Sequence, residues 1–338
     1  MYLQKLKSCR SLKKYACRYL KSENVKHSKP PWKILFFGSD NFSLYSLKTL
    51  YREHQNNDSI VSILKVVTNS NKNPIWKFAE KHDLNIQKWP PDLIQNEYDL
   101  GVIVSFGHLI PESIINKFPL GMLNVHASLL PRWRGAAPII YALANGDKET
   151  GITIMNIKPK HFDIGDIVLQ KKINISDETK MPELHERLGK LGASCLLNTL
   201  NNLEEYLSNS TPQPAEGVTY APKITPEFAK IKWDSMTSQD VYNLHRALDS
   251  LRHNLFTSVA SSSVKLIDIE ICKSNAKCIA PGSVTYDKPS QTLRVECANG
   301  TFISVKRISV LGKKVMTASE FNNGYLKKYA VGEICCFK

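Results

Sequence analysis

Short apolar runs alternate with polar, helix-periodic stretches in the chain up to residue 208. The runs have the length of buried strands, and most are followed by a turn signal or by helical periodicity. This alternation predicts an α/β fold with an open sheet covered by helices. The predicted strands are residues 33–37, 60–67, 84–87, 100–104, 122–126, 152–157 and 167–175, and the predicted helices are residues 41–51, 74–82, 136–144 and 182–207.

The pattern changes after residue 208. Residues 209–216 contain two prolines and no periodicity, so we interpret 209–222 as a linker. One helix at 238–251 is then followed by strand-like runs, which predict a small β-barrel. The predicted strands are residues 264–271, 282–286, 292–297 and 301–311, and the last two are joined at Ala298-Asn299-Gly300, a hairpin signal.

The strand at 122–126 ends in a polar pair that suits carbonyl chemistry. Asn124 and His126 are two residues apart, which places both side chains on one face of the strand. The amide can donate to a developing oxyanion, and the imidazole can exchange a proton near neutral pH. An Asn-x-His at a strand end is more often local hydrogen bonding than catalysis. The carboxylate of Asp163, after the next strand, favours a catalytic site because it can hold and charge the imidazole.

Two neighbouring loops bear on ligand binding. The turn after the first strand lacks G-x-G-x-x-G, so a dinucleotide site is not supported. The loop at 105–111 carries Phe106 and Gly107 beside the polar pair. It either lines a pocket for a flat ligand or simply packs, and its residues do not decide between these readings.

The basic excess is concentrated at the start of the chain. The formal charge is +14, from 45 Lys+Arg against 31 Asp+Glu. Residues 1–30 hold nine basic residues and one acid, that is +8, which leaves +6 for the rest. A basic, acid-poor leader without an apolar core is typical of a mitochondrial transit peptide, and a basic tail that touches RNA is the alternative.

Other classes of protein are not indicated. The eight cysteines show no C-x-x-C pair and no regular spacing, so neither zinc nor a disulfide framework is expected. No apolar run is long enough to span a bilayer, so we expect no membrane insertion. Basic residues of the predicted barrel favour contact with nucleic acid, although each one alone is more often a solvated side chain. They are Lys306, Arg307, Lys313, Lys314, Lys327 and Lys328.

Several stretches closely resemble the methionyl-tRNA formyltransferase family. The resemblance covers nearly all of the chain after residue 30, and the basic leader matches the mitochondrial members best. The stretches are SLLPRWRGAAPI at 128–139, Asn124-x-His126, Asp163-x-Gly165-Asp166, FFGSDNF, VSFGHLIP, TYAPKI, IKWD and PGSV. The resemblance implies a Rossmann-like formyltransferase domain at 31–208 that uses 10-formyltetrahydrofolate, and an OB-like domain at 223–338 that helps to hold transfer RNA.

The resemblance also implies roles for individual residues. Asn124, His126 and Asp163 match the catalytic trio of the family. We expect a mitochondrial matrix enzyme that is monomeric, needs no metal and acts on initiator methionyl-tRNA. The residues expected to contact folate are Ser128, Leu129, Leu130, Pro131, Phe106 and Gly107, and those expected to contact tRNA are Arg132, Arg134, Lys313 and Lys314.

Departures from the family, the loop after the second strand among them, and two alternatives stand beside this reading. Bacterial members carry a longer, basic loop after the second strand, whereas residues 68–74 here are few and Lys72 is their only charge. A folate-dependent formyltransferase acting on a nucleotide or an amino sugar would share the trio. RWRGAAP and the barrel argue against a nucleotide-modifying enzyme of the purine pathway, and the lack of a second enzyme domain argues against a sugar-modifying one. A non-catalytic RNA-binding homologue would share the barrel, but the intact trio argues against that.

Overall fold

The computed structural model describes residues 29–160, 162–249, 255–260, 262–273, 278–330 and 333–338. The predicted transit peptide at 1–30 lies almost wholly outside the described residues, as does the predicted end of the helix at 238–251. Contacts between Cα atoms divide the chain into two compact units. The first contains the described residues up to Pro138 with Glu149–Asn174 and His185–Pro222, and the second contains Ile139–Lys148, Ile175–Leu184 and Lys223–Lys338.

A seven-stranded sheet forms the first unit, in the order β3-β2-β1-β4-β5-β6-β7. Strands β1 to β5 run parallel, whereas β6 and β7 are antiparallel to their neighbours. Strand β4 is buried at every position, as expected for a parallel strand covered on both faces. The strands are β1 Trp32–Gly38, β2 Val61–Thr68, β3 Ile86–Lys88, β4 Leu100–Val104, β5 Met122–His126, β6 Glu149–Asn156 and β7 Asp166–Asn174. The predicted α/β class is confirmed.

Two helix boundaries in this part of the chain differ from the predicted ones. The predicted helix at 136–144 begins only at Pro138, a residue suited to the first helical position, and the Ala137 amide before it donates to the carbonyl of Ala221. The helix predicted at 182–207 is interrupted at Asn202, whose backbone leaves the helical region. The helices up to residue 208 are α1 Asn41–His54, α2 Pro74–Lys81, α3 Glu112–Ile115, α4 Pro138–Ala144, α5 Met181–Asn201 and α6 Leu203–Ser208.

The second unit is built on an antiparallel sheet in the order β10-β11-β12-β9-β8, with β13 beside β12. Its strands are β8 Phe256–Val259, β9 Ser262–Cys272, β10 Val284–Asp287, β11 Thr292–Glu296, β12 Phe302–Val310 and β13 Met316–Thr317. Its helices are α7 Ser238–Leu248 and α8 Ala318–Gly324, with 3-10 turns at Pro226–Ala229, Ala298–Gly300 and Leu326–Lys328. The hairpin predicted at Ala298-Asn299-Gly300 is present between β11 and β12, and Asn299 adopts a φ of 58° there.

Residues 335–338 close this sheet into a barrel. The Lys338 amide donates to the Ser258 carbonyl of β8 at 2.9 Å, and the Ser258 amide returns a bond of 3.0 Å. On the other side, the Phe337 amide donates to the Gly282 carbonyl, and the Val284 amide to the Cys335 carbonyl, both at 2.9 Å. Both ends of the sheet are therefore hydrogen-bonded to one segment. The expected small OB-like barrel is confirmed.

Two segments from the predicted catalytic domain pack within the second unit. Arg246 on α7 is buried, and its Nη1 donates to the carbonyls of Ser176 and Thr179 at 2.9 and 3.2 Å. Its Nε donates to the side-chain oxygen of Asn243, so the guanidinium is hydrogen-bonded although it is buried. These bonds hold the stretch before α5 against α7. The contacts therefore divide the chain differently from the sequence-based boundaries.

In the described part of the chain, no helix is long and apolar enough to cross a membrane. The six described cysteines are unpaired thiols. Burial raises the pKa of the Cys297 thiol to about 12, so this side chain is a neutral part of the barrel core at physiological pH.

Candidate active site

Strand β5 and the loop after β6 bring three polar side chains together. Asn124 and His126 share one face of β5, which lies between β4 and β6. Asp163 comes from the loop at 157–165, where it adopts a φ of 54°. Its Oδ1 accepts from the Asn124 amide at 3.2 Å and lies 3.6 Å from His126 Nδ1. The three residues proposed from the sequence as a trio therefore meet at one point.

The carboxylate of Asp163 is held from several sides. Its Oδ2 accepts from the backbone amide of Gly135 at 2.9 Å. The side chain of Gln213 donates to the carbonyls of Asp163 and Gly165, both at 2.9 Å, and so fixes the turn that carries the carboxylate. The Asp163 side chain is only 9% exposed, so these contacts operate largely shielded from water.

The ring of His126 is oriented by a backbone carbonyl. His126 Nε2 lies 3.0 Å from the Trp133 carbonyl oxygen, which can only accept, so Nε2 carries the hydrogen. The other nitrogen, Nδ1, then faces Asp163 and is the atom that can gain a proton. From the sequence we expected Asp163 to orient the imidazole. In the structure, Trp133 supplies the hydrogen bond, and Asp163 supplies the charge.

The loop expected to contact folate is rigidly anchored. The Leu130 amide donates to Thr153 Oγ1, which donates in turn to the Ser128 carbonyl, and Gln170 donates to the Leu130 carbonyl. The side chains of Ser128 and Leu130 are buried, whereas Leu129 and Pro131 are partly exposed. A ligand on this loop would therefore meet Leu129, Pro131 and the peptide groups between them.

The second loop expected to contact folate packs its aromatic ring inward. Phe106 is 1% exposed, and its ring lies 5.6 Å from Phe37 and 5.1 Å from Trp89. Gly107, in contrast, is exposed, with a φ of +78° and open space around the position of a Cβ. From the sequence, this loop could either line a ligand pocket or pack in the core. The Phe106 ring belongs to the packing, so only its backbone and Gly107 face a possible ligand.

The residues expected to contact tRNA differ in their surroundings. The Arg132 guanidinium lies over the Trp133 ring, 4.4 Å from its centroid. Arg134 donates through Nε and Nη2 to the Gln213 side chain at 3.0 and 2.7 Å. In the second unit, Lys313 and Lys314 are exposed at the turn after β12. Among the described residues, no carboxylate lies within salt-bridge distance of either lysine.

Two other basic residues of the barrel are already paired. Lys306 Nζ lies 2.6 Å from Glu270, and Arg307 forms an ion pair with Asp268 on the same neighbouring strand, β9. Their charges are thus largely compensated at the surface. Lys306 and Arg307 therefore offer less uncompensated positive charge to a phosphate than Lys313 and Lys314 do.

The segment interpreted as a linker contributes to the site. Thr211 exchanges two backbone bonds with Ile167, and Gln213 reaches the Asp163 turn. Farther along, Thr219 Oγ1 accepts from the Trp133 amide at 2.8 Å. The sequence reasoning missed Gln213 and the positioning role of Thr219. Gln213 stands between two prolines in a stretch without periodicity, so no local signal identifies it.

This arrangement can stabilise negative charge on an oxygen and move a proton at the same point. The Asn124 amide is a donor, His126 Nδ1 can carry a proton, and the Asp163 carboxylate can compensate an adjacent positive charge. No group of three or more His, Cys, Asp or Glu residues within the described ranges could hold a metal ion. The geometry suits addition of a nucleophile to a carbonyl carbon.

Family models match both parts of the chain. A model described as "Formyl transferase" matches residues 32–200, and one described as "Formyl transferase, C-terminal domain" matches residues 223–326. A relative from Rattus norvegicus, "Methionyl-tRNA formyltransferase, mitochondrial", is 42% identical over 94% of this chain and 85% of its own length. "Methionyl-tRNA formyltransferase" from Staphylococcus aureus (strain JH1) is 33% identical over 86% of this chain and 96% of its own length.

Solved structures share the fold at lower identity. WlaRD, a sugar 3N-formyl transferase whose crystal structure was determined with dTDP and 5-N-formyl-THF, gives a TM-score of 0.59 at 20% identity. The match covers 84% of this chain and 99% of that one. An N-formyltransferase from Helicobacter canadensis gives a TM-score of 0.61 at 18% identity, over 81% and 98% of the two chains. At these identities the likeness bears on the fold alone.

Proposed function

Because the chain belongs to the methionyl-tRNA formyltransferase family, we propose that it transfers the formyl group of 10-formyltetrahydrofolate to the free α-amine of methionyl-tRNA. The observation that supports this most directly is the convergence of Asn124, His126 and Asp163. A donor, a proton carrier and a carboxylate at one point match the needs of acyl transfer to an amine. We further propose that the acceptor is the initiator species and that the product starts protein synthesis in the mitochondrial matrix.

The proposed reaction assigns one task to each member of the trio. The amine forms a bond to the formyl carbon, and the carbonyl electron pair moves onto oxygen, where Asn124 and protonated His126 stabilise it. As the oxyanion collapses, the bond from the carbon to N10 of the folate breaks. The imidazolium gives its Nδ1 proton to N10 as that bond breaks, the proton lost by the amine restores the imidazolium, and Asp163 stabilises its positive charge. Formylmethionyl-tRNA and tetrahydrofolate leave.

The experiment that tests this function uses the purified chain with charged initiator tRNA and 10-formyltetrahydrofolate. Formylmethionine released from the tRNA by mild base is the expected product. The same chain is incubated with a dTDP-linked amino sugar as a matched small-amine acceptor. Formylation of the sugar without formylation of the tRNA would overturn the proposal. Sedimentation of the same preparation tests our proposal that the enzyme is monomeric.

We propose that the exposed lysines after β12 are the main phosphate contacts of the second unit. Lys313→Gln with Lys314→Gln is expected to weaken tRNA binding and to lower the slope of log affinity against log salt by about 1.4–1.8, at about 0.7–0.9 per phosphate contact. Folate affinity should not change. The measurement is a titration of tRNA binding over a series of salt concentrations.

The matched control for these lysines is Lys72→Gln in the loop after β2. That loop is short, and Asn73 within it caps α2 by accepting from the Trp76 amide at 2.9 Å. A smaller change of slope is therefore expected for the loop variant. If Lys72→Gln lowered the slope more than the double variant did, the loop would be the principal RNA contact.

We propose that residues 1–30 direct the protein to mitochondria, because they carry nine basic residues and one acid. Residues 1–40 fused to a fluorescent reporter are expected to enter mitochondria. The control replaces Lys13, Lys14, Arg18 and Lys21 with glutamine and should stay in the cytosol. Import of both fusions, or of neither, would contradict a charge-dependent transit peptide.

A further inference from the structure

Tyr220 is an exposed aromatic side chain on a rigidly held backbone. The residue is 67% exposed, whereas Ala221 beside it is fully buried. The Ala221 amide donates to the Arg134 carbonyl at 2.7 Å, and the Thr219 carbonyl accepts from the Arg134 amide at 2.9 Å. Gly135 allows this close approach, since a Cβ there would lie 2.5 Å from the Ala221 carbonyl oxygen. The backbone is fixed while the phenol ring points to solvent.

The place of Tyr220 in the fold puts it at the edge of the catalytic trio. Its bridge partner is Arg134. The residues on either side of Arg134 are the ones that hold the trio: the Trp133 carbonyl accepts from His126, and the Gly135 amide donates to Asp163. Paired backbones lie about 5 Å apart. The exposed tyrosine therefore lies on the segment that pairs directly with residues 133–135, whose backbone groups position His126 and Asp163.

If the proposed function holds, the 3′ end of the aminoacylated tRNA must lie beside the trio during the reaction. The α-amine reaches the trio while methionine remains esterified to the terminal nucleotide of the tRNA, and that nucleotide is unpaired. Its base is separated from the reacting amine only by the ester and the ribose. We propose, on the basis of that function, that the Tyr220 ring is the stacking surface for the base of this terminal nucleotide. Aromatic side chains bind unpaired bases in this way.

The adjacent loop carries charge that complements a nucleotide. Arg132 and Arg134 belong to the loop segment whose backbone is hydrogen-bonded to residues 219–221. The Arg132 guanidinium lies over the Trp133 ring. A ring for the base and arginines for the phosphate form the usual pair of contacts to single-stranded nucleic acid. The folate donor is also flat and could stack on the Tyr220 ring instead. The experiment therefore distinguishes binding of the terminal base from binding of the folate.

The first measurement compares steady-state formylation by Tyr220→Ala and Tyr220→Phe. Loss of base stacking is expected to raise the KM for methionyl-tRNA about tenfold in the alanine variant, with kcat nearly unchanged. The phenylalanine variant retains the ring and should behave like the parent chain. Ile94→Ala, at a side chain that is 75% exposed, is the control for loss of any exposed apolar group and should leave KM unchanged.

The second measurement reports stacking without requiring catalysis. A tRNA acceptor hairpin with 2-aminopurine as its terminal base should lose fluorescence on binding to the parent chain and to Tyr220→Phe. It should keep its fluorescence with Tyr220→Ala and Tyr220→Leu. The same reporter placed in the hairpin loop should respond alike to all four proteins. Melting temperatures of the variants show whether each one is folded.

Each outcome is decisive for one proposal. An unchanged KM for tRNA and equal quenching by all variants would overturn the role of Tyr220. A raised KM for the folate donor with an unchanged KM for tRNA would also overturn it, and would place the donor on the ring. If the parent chain formylated no tRNA, the proposed function would fail, and the fluorescence measurement would still decide whether Tyr220 stacks on the base.

Discussion

Replacing Asp163 with asparagine is expected to lower the turnover of formyl transfer by about 10²–10³-fold. The carboxylate is the one group that touches both other members of the trio: Oδ1 accepts from Asn124 and lies 3.6 Å from His126 Nδ1. Asparagine keeps the shape and removes the charge that stabilises a proton on Nδ1. The ground-state contacts with substrates are left in place, so the KM values for folate and tRNA should change little.

In the proposed reaction the three members of the trio act on the same developing charge, so the effects of removing them are expected to be non-additive. His126→Ala and Asn124→Ala should each cost a similar factor, because each removes a partner of the same developing charge. The pair Asp163→Asn with His126→Ala is then expected to be little slower than either single variant. Single-turnover formylation at saturating substrates measures this. Fully multiplicative losses would indicate independent roles.

The matched control is Asp166→Asn, three residues further along the chain at the start of β7. Asp166 pairs with Lys158 at 2.6 Å on the surface, and exposed ion pairs contribute little. Turnover of this variant should be close to that of the parent chain. Near-normal turnover of Asp163→Asn, or an equal loss in both variants, would remove the carboxylate of Asp163 from the catalytic step.

The strands of the sheet could be predicted because each is specified by the pattern of apolar residues within its own short segment. The strands predicted at 33–37 and 100–104 from their apolar residues correspond to β1 and β4, which differ from the predicted bounds by one residue or none. The spacing of Asn124 and His126 likewise determines that they share a face of β5. Short elements without periodicity were missed, among them β8, β13 and the helix Ala318–Gly324.

The contacts of the site depend on residues distant in the chain and therefore left no local pattern. Gln213 reaches the Asp163 turn across fifty residues, and its own surroundings predict only an irregular segment. The role of Phe106 could not be predicted from the sequence either, because an apolar side chain is found both in ligand pockets and in the packed core. Its burial against Phe37 and Trp89 is a property of the assembled core. The pairing of Lys306 and Arg307 with carboxylates of β9 could not be predicted either, because it depends on the strand register.

The closing segment of the barrel was also unrecognised, and it leads to a large expected effect on stability. Phe337→Ala is expected to lower the free energy of unfolding of the second unit by about 3–5 kcal/mol. Phe337 is 2% exposed, and its ring lies 6.0 Å from Trp233 and 6.2 Å from Phe321. Removing the ring leaves a cavity beneath the segment that joins the two ends of the sheet, so the Val284 and Ser258 bonds should open with it.

Hydrogen exchange of the Ser258 and Val284 amides measures this opening directly, since both donate to residues 335–338. Their protection is expected to fall about 100-fold or more in Phe337→Ala. Phe337→Met keeps a long apolar side chain and should cost less than Phe337→Ala does. Ile334→Ala, at a side chain that is 41% exposed, should change stability by no more than about 0.5 kcal/mol. If Phe337→Ala exchanged these amides no faster than Ile334→Ala did, the two ends of the sheet would be held by the backbone bonds alone, and the ring would not be needed to close the barrel.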